Sequence, residues 1–500
     1  VDAIAATVGG VFSRDGERGN VRGARADGTV YFIDGMKVRG SRALPQSAIE
    51  QQTVILGGLP AQYGDATGGI IEVTTRGPSR KFGMGAEVET SQFLDAFGYN
   101  RVGLNLNGPI FSKKDEQGNK TNALLGYFVA GDFIYREDGN PSTNMNGLYK
   151  SKDDYRQYIE QNPLRPSGLG TGTYLNANYA GYNEFEKIKS TQNTSRYSIN
   201  VNGKLDIRTT ETINLTFGGT FAYNKGLGYS YQNSMFNYDR NGQFTNYTWR
   251  VFGRFSQRFP TAPDSKSFVK NVYYSIQADW TQNYGYNQDP DHKEDLFKYG
   301  YVGQFDVYKD KNYTLGTDTI IGQGYENVYM MVNIYDTLWD FNRREVNPYI
   351  ANVTDAIYDI YPSNSFHRTS DDIQTLGGKL NGQGPSGVYG MWNSPGAVTS
   401  GYNVFDNNQL SIQASGAMDL GNHEIRFGFQ YEQRIDRSYG YGPVGLWNLM
   451  RGNTNWHIRE LDLNNPMPVY RDGVFMDTIE YVRKYDCLLY TSPSPRDSLH

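Results

Sequence analysis

The chain has 500 residues and a formal net charge of −5, with acidic and basic residues spread along its length. No basic stripe marks a nucleic-acid face, so the charge pattern argues against a nucleic-acid partner. Only 38% of the residues are hydrophobic, whereas Gly (57), Tyr (40) and Phe (25) are abundant. Aromatic residues favour strands and glycine favours turns, so the composition predicts an all-β chain and not a soluble α/β enzyme.

Several functional classes have no support in the residues. The only cysteine is Cys487, so neither a disulfide nor a thiolate metal site is predicted. The five histidines show no metal-ligand spacing, and no nucleophile elbow or paired-carboxylate site is present. The stretches 239–242 and 289–291 resemble calcium loops only faintly, because neither has the full ligand run. The sequence therefore predicts no enzyme, no cofactor and no metal.

Residues 1–80 are predicted to form a small α+β domain. The chain opens at Val1 without a basic region before an apolar stretch, which predicts a mature or truncated start. Residues 30–33 form an apolar strand that ends at an Asp-Gly turn signal. A short helix is predicted from Pro45 to Gln52, followed by strands at 54–56 and 70–75.

After Arg80 the sequence alternates with a two-residue period. Nine predicted strands cover residues 82–90, 101–107, 123–135, 197–207, 213–223, 247–255, 274–280, 410–420 and 425–431. Most approach the roughly 9–11 residues of a tilted membrane-spanning strand. A strand of a transmembrane barrel meets lipid only at every second residue, so its mean hydropathy stays low. Aromatic residues lie at or near several strand ends: Tyr135, Tyr197, Tyr223, Tyr247, Trp280 and Tyr431.

The predicted connections alternate between short and long. The short ones are 109–122, 208–211, 258–270 and 421–422, and the long ones are 136–194, 225–244 and 284–408. Short turns at one end and long loops at the other are typical of an outer-membrane barrel. Within 284–408, residues 301–308 and 328–335 are predicted either as strands of a folded outer cap or as two further spanning strands.

Short motifs before Arg80 occur in a fixed order. An Arg-Gly step precedes a strand that ends in Asp-Gly; an Ile-Glu helix, a Gly-Gly step, a Tyr-Gly turn and a second Gly-Gly before a strand follow. The residues are Arg22, Gly23, Asp34, Gly35, Glu50, Gly57, Gly58, Tyr63, Gly64, Gly68, Gly69 and Glu72. In this order they resemble the plug domain of TonB-dependent outer-membrane receptors, and we expect them to hold the fold of the domain.

The resemblance implies an all-β membrane protein. Residues 1–80 are expected to be an N-terminally truncated plug, and residues 81–486 the first part of an antiparallel barrel that has about 22 strands when complete. Nine strands do not close a bacterial single-chain barrel, which needs an even number. Residues 487–500 look like a translated sequencing adapter, the alternative being a genuine disordered tail.

The resemblance also implies TonB-dependent active import of a ligand across the outer membrane of a Gram-negative bacterium, with the plug gating the lumen. The implied partners are the TonB–ExbB–ExbD complex, through a box upstream of Val1, outer-membrane lipid and a surface lipoprotein. The step from Leu56 to Ala61 looks closer to a Bacteroidota or Oar-like branch than to the starch-utilisation branch. A siderophore, a vitamin, a peptide and a glycan all remain candidate ligands. The aromatic loops 174–182 and 229–238 either bind the ligand or pack against neighbouring loops.

Two other classes of protein share parts of the pattern. A passive outer-membrane porin or a surface adhesin would have the barrel without the ordered motifs upstream. A secreted all-β carbohydrate-binding protein or hydrolase would have shorter strands and a polar outward face.

Overall fold

The computed structural model describes residues 1–12, 20–25, 28–58, 63, 68–114, 120–142, 147–262, 265, 267–318, 325–362 and 369–484. Gly64 of the plug-like motifs and the predicted adapter-like tail, 487–500, lie outside the described residues.

The described residues form mostly strands. Numbered in chain order, the strands are β1 (Val11–Phe12), β2 (Asn20–Val21), β3 (Thr29–Ile33), β4 (Met36–Lys37), β5 (Ile49–Ile55), β6 (Gly69–Thr75), β7 (Gly83–Thr90), β8 (Tyr99–Lys114), β9 (Lys120–Arg136), β10 (Leu148–Ser151), β11 (Leu164–Pro166), β12 (Thr173–Leu175), β13 (Phe185–Ile188), β14 (Arg196–Arg208), β15 (Ile213–Leu227), β16 (Gln243–Phe259), β17 (Val269–Gln288), β18 (Gly303–Asp318), β19 (Tyr325–Arg343), β20 (Tyr402–Leu420), β21 (His423–Tyr441), β22 (Leu461–Arg471) and β23 (Val474–Arg483). The α-helices are α1 (Asp2–Ala5), α2 (Asp153–Gln161), α3 (Pro348–Ile360), α4 (Ser370–Thr375) and α5 (Leu446–Arg459).

The first 80 residues contain a four-stranded sheet in the order β4-β3-β6-β5, which we call the small domain. Strands β3 and β4 form a hairpin whose turn residues, Asp34 (φ 50°) and Gly35 (φ 82°), both have positive φ. This is the turn geometry that an Asp-Gly pair favours. Strand β3 runs parallel to β6, and β5 runs antiparallel to β6. The predicted hairpin and the predicted strand at 70–75 are confirmed.

The helix predicted from Pro45 to Gln52 is wrong apart from one turn. The chain makes a single turn of 3-10 helix at Gln46–Ala48 and then enters strand β5 at Ile49. Three successive β-branched residues, 53–55, favour this strand. Pairing with β6 along most of its length then outweighs any local helical preference.

Nine strands form one antiparallel sheet, which we call the wall. Its order is β21-β20-β17-β16-β15-β14-β9-β8-β7, so each strand pairs with the wall strands before and after it in the chain. The nine predicted strands are confirmed, although the observed strands extend further, to 20 residues in β17. Among the described residues, β7 and β21 are the free edges of the wall, and the barrel is not closed.

The two faces of the wall have opposite character. On the apolar face, large side chains such as Leu104, Val251 and Phe429 are exposed at alternate positions. On the polar face of the strands between the two edges, many of the alternating residues are buried and hydrophilic, among them Arg101, Asn200, Asn202, Thr220, Thr248, Arg250, Gln277, Asp279 and Ser411. Along the edge strand β21 nearly every residue is exposed. A soluble sheet buries its apolar face and exposes its polar face, so the wall has the reverse arrangement.

Aromatic rings lie near both ends of the apolar face. Near the long-loop end, ring centroids 4.9 to 6.1 Å apart connect Tyr197, Tyr223, Tyr247 and Tyr284 across four strands. Near the other end, Tyr274 contacts Phe255 and Phe259. Ten positions of β17 separate Tyr274 from Tyr284, which is about 24 Å along the normal for a strand tilted by about 45°. An apolar band of about 25 Å between aromatic girdles is typical of a transmembrane barrel.

The connections segregate as predicted. The long ones, 137–195, 228–242 and 289–401, leave one end of the wall, and 209–212, 260–268 and 421–422 leave the other. Strands β18 and β19 pair with each other and join β23 and β22 in a separate four-stranded sheet. The predicted strands 301–308 and 328–335 therefore belong to a separate sheet, and the alternative of two further spanning strands in the wall is wrong. The position of this sheet on the outer side stays a prediction.

Among the described residues, none of the helices combines the length and the apolar character needed to cross a bilayer.

Candidate functional site

The small domain lies against the polar face of the wall, and the interface between them is the candidate functional site. Its central contact is an ion pair between Lys204 of β14 and Asp34 of the β3–β4 turn, with Nζ 3.0 Å from Oδ1. The same Nζ donates to the carbonyl of Thr75 at 2.8 Å. Asp34 also accepts from the backbone N–H of Thr75 at 3.0 Å and from its hydroxyl at 2.6 Å. One wall lysine therefore fixes the turn and the end of β6 together.

The turn is held by further wall side chains. Arg254 donates through Nη2 to the carbonyl of Asp34, and its Nε donates to Gln277 at 2.7 Å. Gln413 donates to the carbonyl of Gly35 at 3.1 Å. A Cβ added at Gly35 would lie 3.2 Å from Arg254 Nη2, and the positive φ of Gly35 also disfavours any larger residue.

The segment after the hairpin makes a second row of contacts. Arg250 is fully buried, and its Nη2 donates to the carbonyls of Arg39 and Ser41. Gln409 donates to the carbonyl of Lys37 at 3.2 Å. The wall thus recognises much of this segment through its backbone, so many residue types are compatible with these contacts.

Two ion pairs connect the small domain to the edge strand β21. Arg39 donates to both carboxylate oxygens of Asp436, at 2.7 and 2.8 Å. Lys37 lies 3.7 Å from Glu432. Asp436 keeps about half of its side chain exposed, so we expect this pair to contribute less than the Lys204–Asp34 pair.

Apolar contacts are few at this interface. Ile33, Met36, Leu44 and Val73 of the small domain pack with Phe252 of β16 in one cluster. Ala48 packs against Phe128 and Ala130 of β9 in another. The interface therefore depends mainly on hydrogen bonds and ion pairs.

The structure brings some of the predicted motif residues together. Tyr63 donates to Glu72 at 3.2 Å and packs on Phe32 with ring centroids 5.4 Å apart. A Cβ added at Gly57 would lie 3.1 Å from Nη1 of Arg22. Together with Asp34 and Gly35 at the wall, these residues connect separate parts of the small domain.

The second Gly-Gly step is a close-packing site. A Cβ at Gly69 would lie 2.8 Å from two methyl carbons of Val21, and one at Gly68 would lie 3.1 Å from Gly28 and Ala24. These distances leave no room for a side chain, which is a physical reason for glycine at both positions.

Other motif residues do not take part in these contacts. Gly23 (φ 76°) and Gly58 (φ 64°) have open space around their Cα atoms, so their positive φ is the feature that favours glycine there. Glu50 is exposed on β5, and among the described residues it forms no ion pair. Gly64 lies outside the described residues.

The residues that sequence reasoning missed are those of the wall: Lys204, Arg250, Arg254, Gln277, Gln409 and Gln413. A signal for two of them exists, since Arg250 and Arg254 occupy inward positions of a strand whose outward positions are Trp249, Val251 and Phe255. Arg250 and Arg254 bind backbone carbonyls of the small domain. Every residue carries a carbonyl, so the sequence gives no signal for these partners.

The described residues contain no group of three or more His, Cys, Asp or Glu side chains that could hold a metal ion. At the two faint calcium-like stretches, Arg240 forms ion pairs with Asp289 and Asp291. An arginine there occupies the carboxylates that a calcium ion would need. The arrangement at the wall holds a folded domain in one position.

No family model and no curated protein matches the chain. Among solved structures, it is similar to a mutant of the ferric enterobactin receptor PfeA from Pseudomonas aeruginosa in complex with enterobactin, with 14% identity, a TM-score of 0.37, and coverage of 88% of this chain and 56% of that chain. It is also similar to the siderophore receptor PirA from Acinetobacter baumannii (12% identity, TM-score 0.34, 84% of this chain and 51% of that chain). A third similar structure is the FpvAI–pyocin S2 complex (12% identity, TM-score 0.34, 86% and 49%). The chain spans about half the length of these three structures.

The central ion pair gives a first prediction. Lys204→Met leaves the buried Asp34 carboxylate without its cation, so we expect the small domain to lose about 3 kcal/mol of stability against the wall. The measurement is the urea concentration at which protease first cleaves within residues 1–80. Lys298→Met is the matched control, because Lys298 pairs with Asp295 in an exposed loop and should cost at most about 1 kcal/mol. Equal midpoints for the two variants would contradict the role of Lys204.

A second prediction concerns pH in the outer loops. Hydrogen bonds from Lys150 and Tyr238 lower the pKa of Asp153. A carboxyl group whose pKa is lower in the folded state stabilises that state above its unfolded pKa of about 3.9, and the contribution is lost as the pH falls through the folded pKa. We expect wild-type loops to lose protection from hydrogen exchange below about pH 4 more steeply than Asp153→Asn loops do. Parallel pH profiles for the two proteins would refute this assignment.

Proposed function

We propose that this chain forms the plug and the first part of the barrel of a TonB-dependent transporter, which imports a ligand actively across the outer membrane of a Gram-negative bacterium. The observation that carries the proposal is the reversed polarity of the wall, with a separately folded small domain held on its polar face. Residues 1–80 are the proposed plug, residues 81–486 the barrel part with its outer loops, and residues 487–500 a non-native tail.

The apolar face supports the membrane location. Exposed side chains of the size of Leu104, Trp249 and Phe429 recur along the wall strands. Complete burial of such a side chain is worth about 1.5–3 kcal/mol, and in water the exposed half of each would lose its share of that free energy. Hydrocarbon removes that cost, and the aromatic rows at both ends suit the two membrane interfaces.

The polar interface supports gating. Each hydrogen bond between the small domain and the wall contributes about 0.5–1.5 kcal/mol net when both partners are neutral and about 1.5–3 kcal/mol when a lysine or arginine donates, because water replaces it when the contact opens. An apolar interface of the same size would resist opening far more. The plug can therefore be displaced without the barrel unfolding, provided that another component supplies work.

The proposed partners follow from this class of protein. The TonB–ExbB–ExbD complex supplies the work through a box upstream of Val1, outer-membrane lipid surrounds the apolar face, and a surface lipoprotein is a candidate partner. A Bacteroidota or Oar-like origin rests on residues 56–61, of which 59–61 lie outside the described residues. The motif residues Arg22 to Glu72 are proposed to hold the plug fold without contacting ligand.

The alternatives are less well supported. A passive porin or an adhesin gives no reason for a folded domain whose turn is held by Lys204 and Arg254. A secreted all-β hydrolase or carbohydrate-binding protein gives no reason for an exposed apolar face.

A substitution in the middle of the apolar face tests the membrane location. Val251 lies about midway between the two aromatic rows, so in the complete protein Val251→Lys should cost about 2–4 kcal/mol of unfolding free energy in lipid vesicles. Leu169→Lys, in an exposed loop, is the control and should have little effect. A Val251→Lys protein as stable as the control would refute the proposed lipid contact.

Removal of the plug tests the gate without knowledge of the ligand. In the complete protein, deletion of residues 1–80 should open the lumen, so cells become several-fold more sensitive to vancomycin, a hydrophilic antibiotic too large for ordinary porins. This sensitivity should not depend on TonB. Unchanged sensitivity, with the deletion variant folded in the outer membrane, would contradict the plug assignment.

A further inference from the structure

One buried carboxylate on the polar face of the wall has no cationic partner. Asp279 of β17 is 2% exposed, and among the described residues it forms no ion pair. Gln277 donates to its Oδ1 at 3.5 Å, which is at the limit of a hydrogen bond, and its Oδ2 has no hydrogen-bond partner in the described part of the chain. Burial of an ionised carboxylate is unfavourable unless the group is paired and hydrogen-bonded. Asp279 therefore raises the free energy of any state in which it is buried.

Two other buried carboxylates at this interface are compensated. Asp34 pairs with Lys204 and also accepts from the hydroxyl of Thr75 at 2.6 Å. Asp132 of β9 accepts from the amide of Asn200 at 2.7 Å, and its Oδ2 lies 3.7 Å from Nε of Arg101. Asp279 is as deeply buried as these two residues but lacks their partners.

The charged groups around Asp279 are engaged elsewhere. Arg250 and Arg254 donate to backbone carbonyls of the small domain, and Lys37 pairs with Glu432. Glu432 lies in the same row of the sheet as Asp279, two strands away, and its negative charge repels that of Asp279. The interaction with Glu432 therefore adds to the cost of burying Asp279.

The small domain covers Asp279. The registers of β16, β17 and β20 surround it with other positions of the polar face. Two of these neighbours are Thr281 and Ser411. The others all lie against the small domain: Arg250, Phe252, Arg254, Gln277, Gln409 and Gln413. Asp279 thus lies beneath the docked domain, and water hydrates its carboxylate when the domain moves away from the wall.

We propose that Asp279 opposes docking: its carboxylate disfavours the position of the small domain on the wall and favours a displaced position in which water hydrates it. The small domain is then held less tightly than its contacts with the wall allow. This inference deepens the proposed gating and rests on the proposed function for its biological role, because an opposing charge lowers the work that opening requires.

Two neutral substitutions test the sign of the effect. Asp279→Asn keeps the shape of the side chain, and Asp279→Leu also removes its polar atoms. The measurement is the rate at which thermolysin cleaves within residues 1–80 of the purified complete protein at pH 8, where a carboxyl group is ionised. When opening is fast relative to cleavage, this rate follows the population of the displaced state.

We expect both variants to be cleaved more slowly than the wild type, by roughly five- to hundredfold, the factor that corresponds to removal of one unsatisfied buried group. A side chain that stabilises the interface would give the opposite sign, because its loss speeds cleavage. A variant that fails to fold is also cleaved faster, so misfolding does not imitate the expected result. Rates equal to or above that of the wild type in both variants overturn the proposal.

Asp436→Asn is the matched control. Asp436 is a carboxylate of the same interface, but it accepts two hydrogen bonds from Arg39, at 2.7 and 2.8 Å. Removal of this paired charge should speed cleavage or leave it unchanged. If Asp436→Asn slowed cleavage as much as Asp279→Asn does, the effect would come from net charge and the proposal would be overturned.

The assay contains neither a ligand nor a source of energy, so it separates this inference from the proposed function. Slower cleavage of the Asp279 variants of a protein that imports nothing would count against the proposed function and leave this inference standing. Faster cleavage of both variants would overturn the inference and leave the proposed function untouched.

Discussion

The structure depends on one constraint: the wall has a polar face that must be buried and an apolar face that must not meet water. A buried polar group without a partner costs about as much as a lost hydrogen bond. The small domain supplies many of those partners, above all through the Asp34 turn and the carbonyls of residues 34–41. In the proposed membrane location, lipid covers the other face. The two faces of the wall therefore need different surroundings.

The chemistry of the interface explains how the small domain is positioned. Lys204 and Arg254 act on the β3–β4 turn, and Arg250 acts on the segment that follows it. These contacts are directional, so they define one position of the domain, and each can be replaced by water. The apolar contacts are confined to the surroundings of Phe252 and Ala48. A defined position held mainly by polar contacts is what the proposed gating function would need.

Much of the fold could be predicted from the sequence because it is encoded locally. The nine wall strands follow from two-residue alternation, and the Asp34-Gly35 hairpin follows from its turn chemistry. The prediction of a helix at 45–52 was wrong because this segment pairs as strand β5 with β6, about twenty residues further along the chain. The central ion pair joins residues 170 positions apart, and no local pattern encodes that distance. The pairing of β19 with β23, which are separated in the chain by the wall strands β20 and β21, was likewise beyond prediction.

The long connections pack independently of the small domain. Their helices and short strands form cores of their own, for example around Ile159 and Phe236 and around Val353 and Ile357. The small domain instead contacts the wall, through the Asp34 turn and through backbone carbonyls of the segment that follows it. Because these cores contain no residue of the small domain, we expect substitutions in the long connections to leave the interface between the small domain and the wall intact. Connections of this kind are the most variable parts of a fold, which is also why their structure is the part that sequence patterns predict least well.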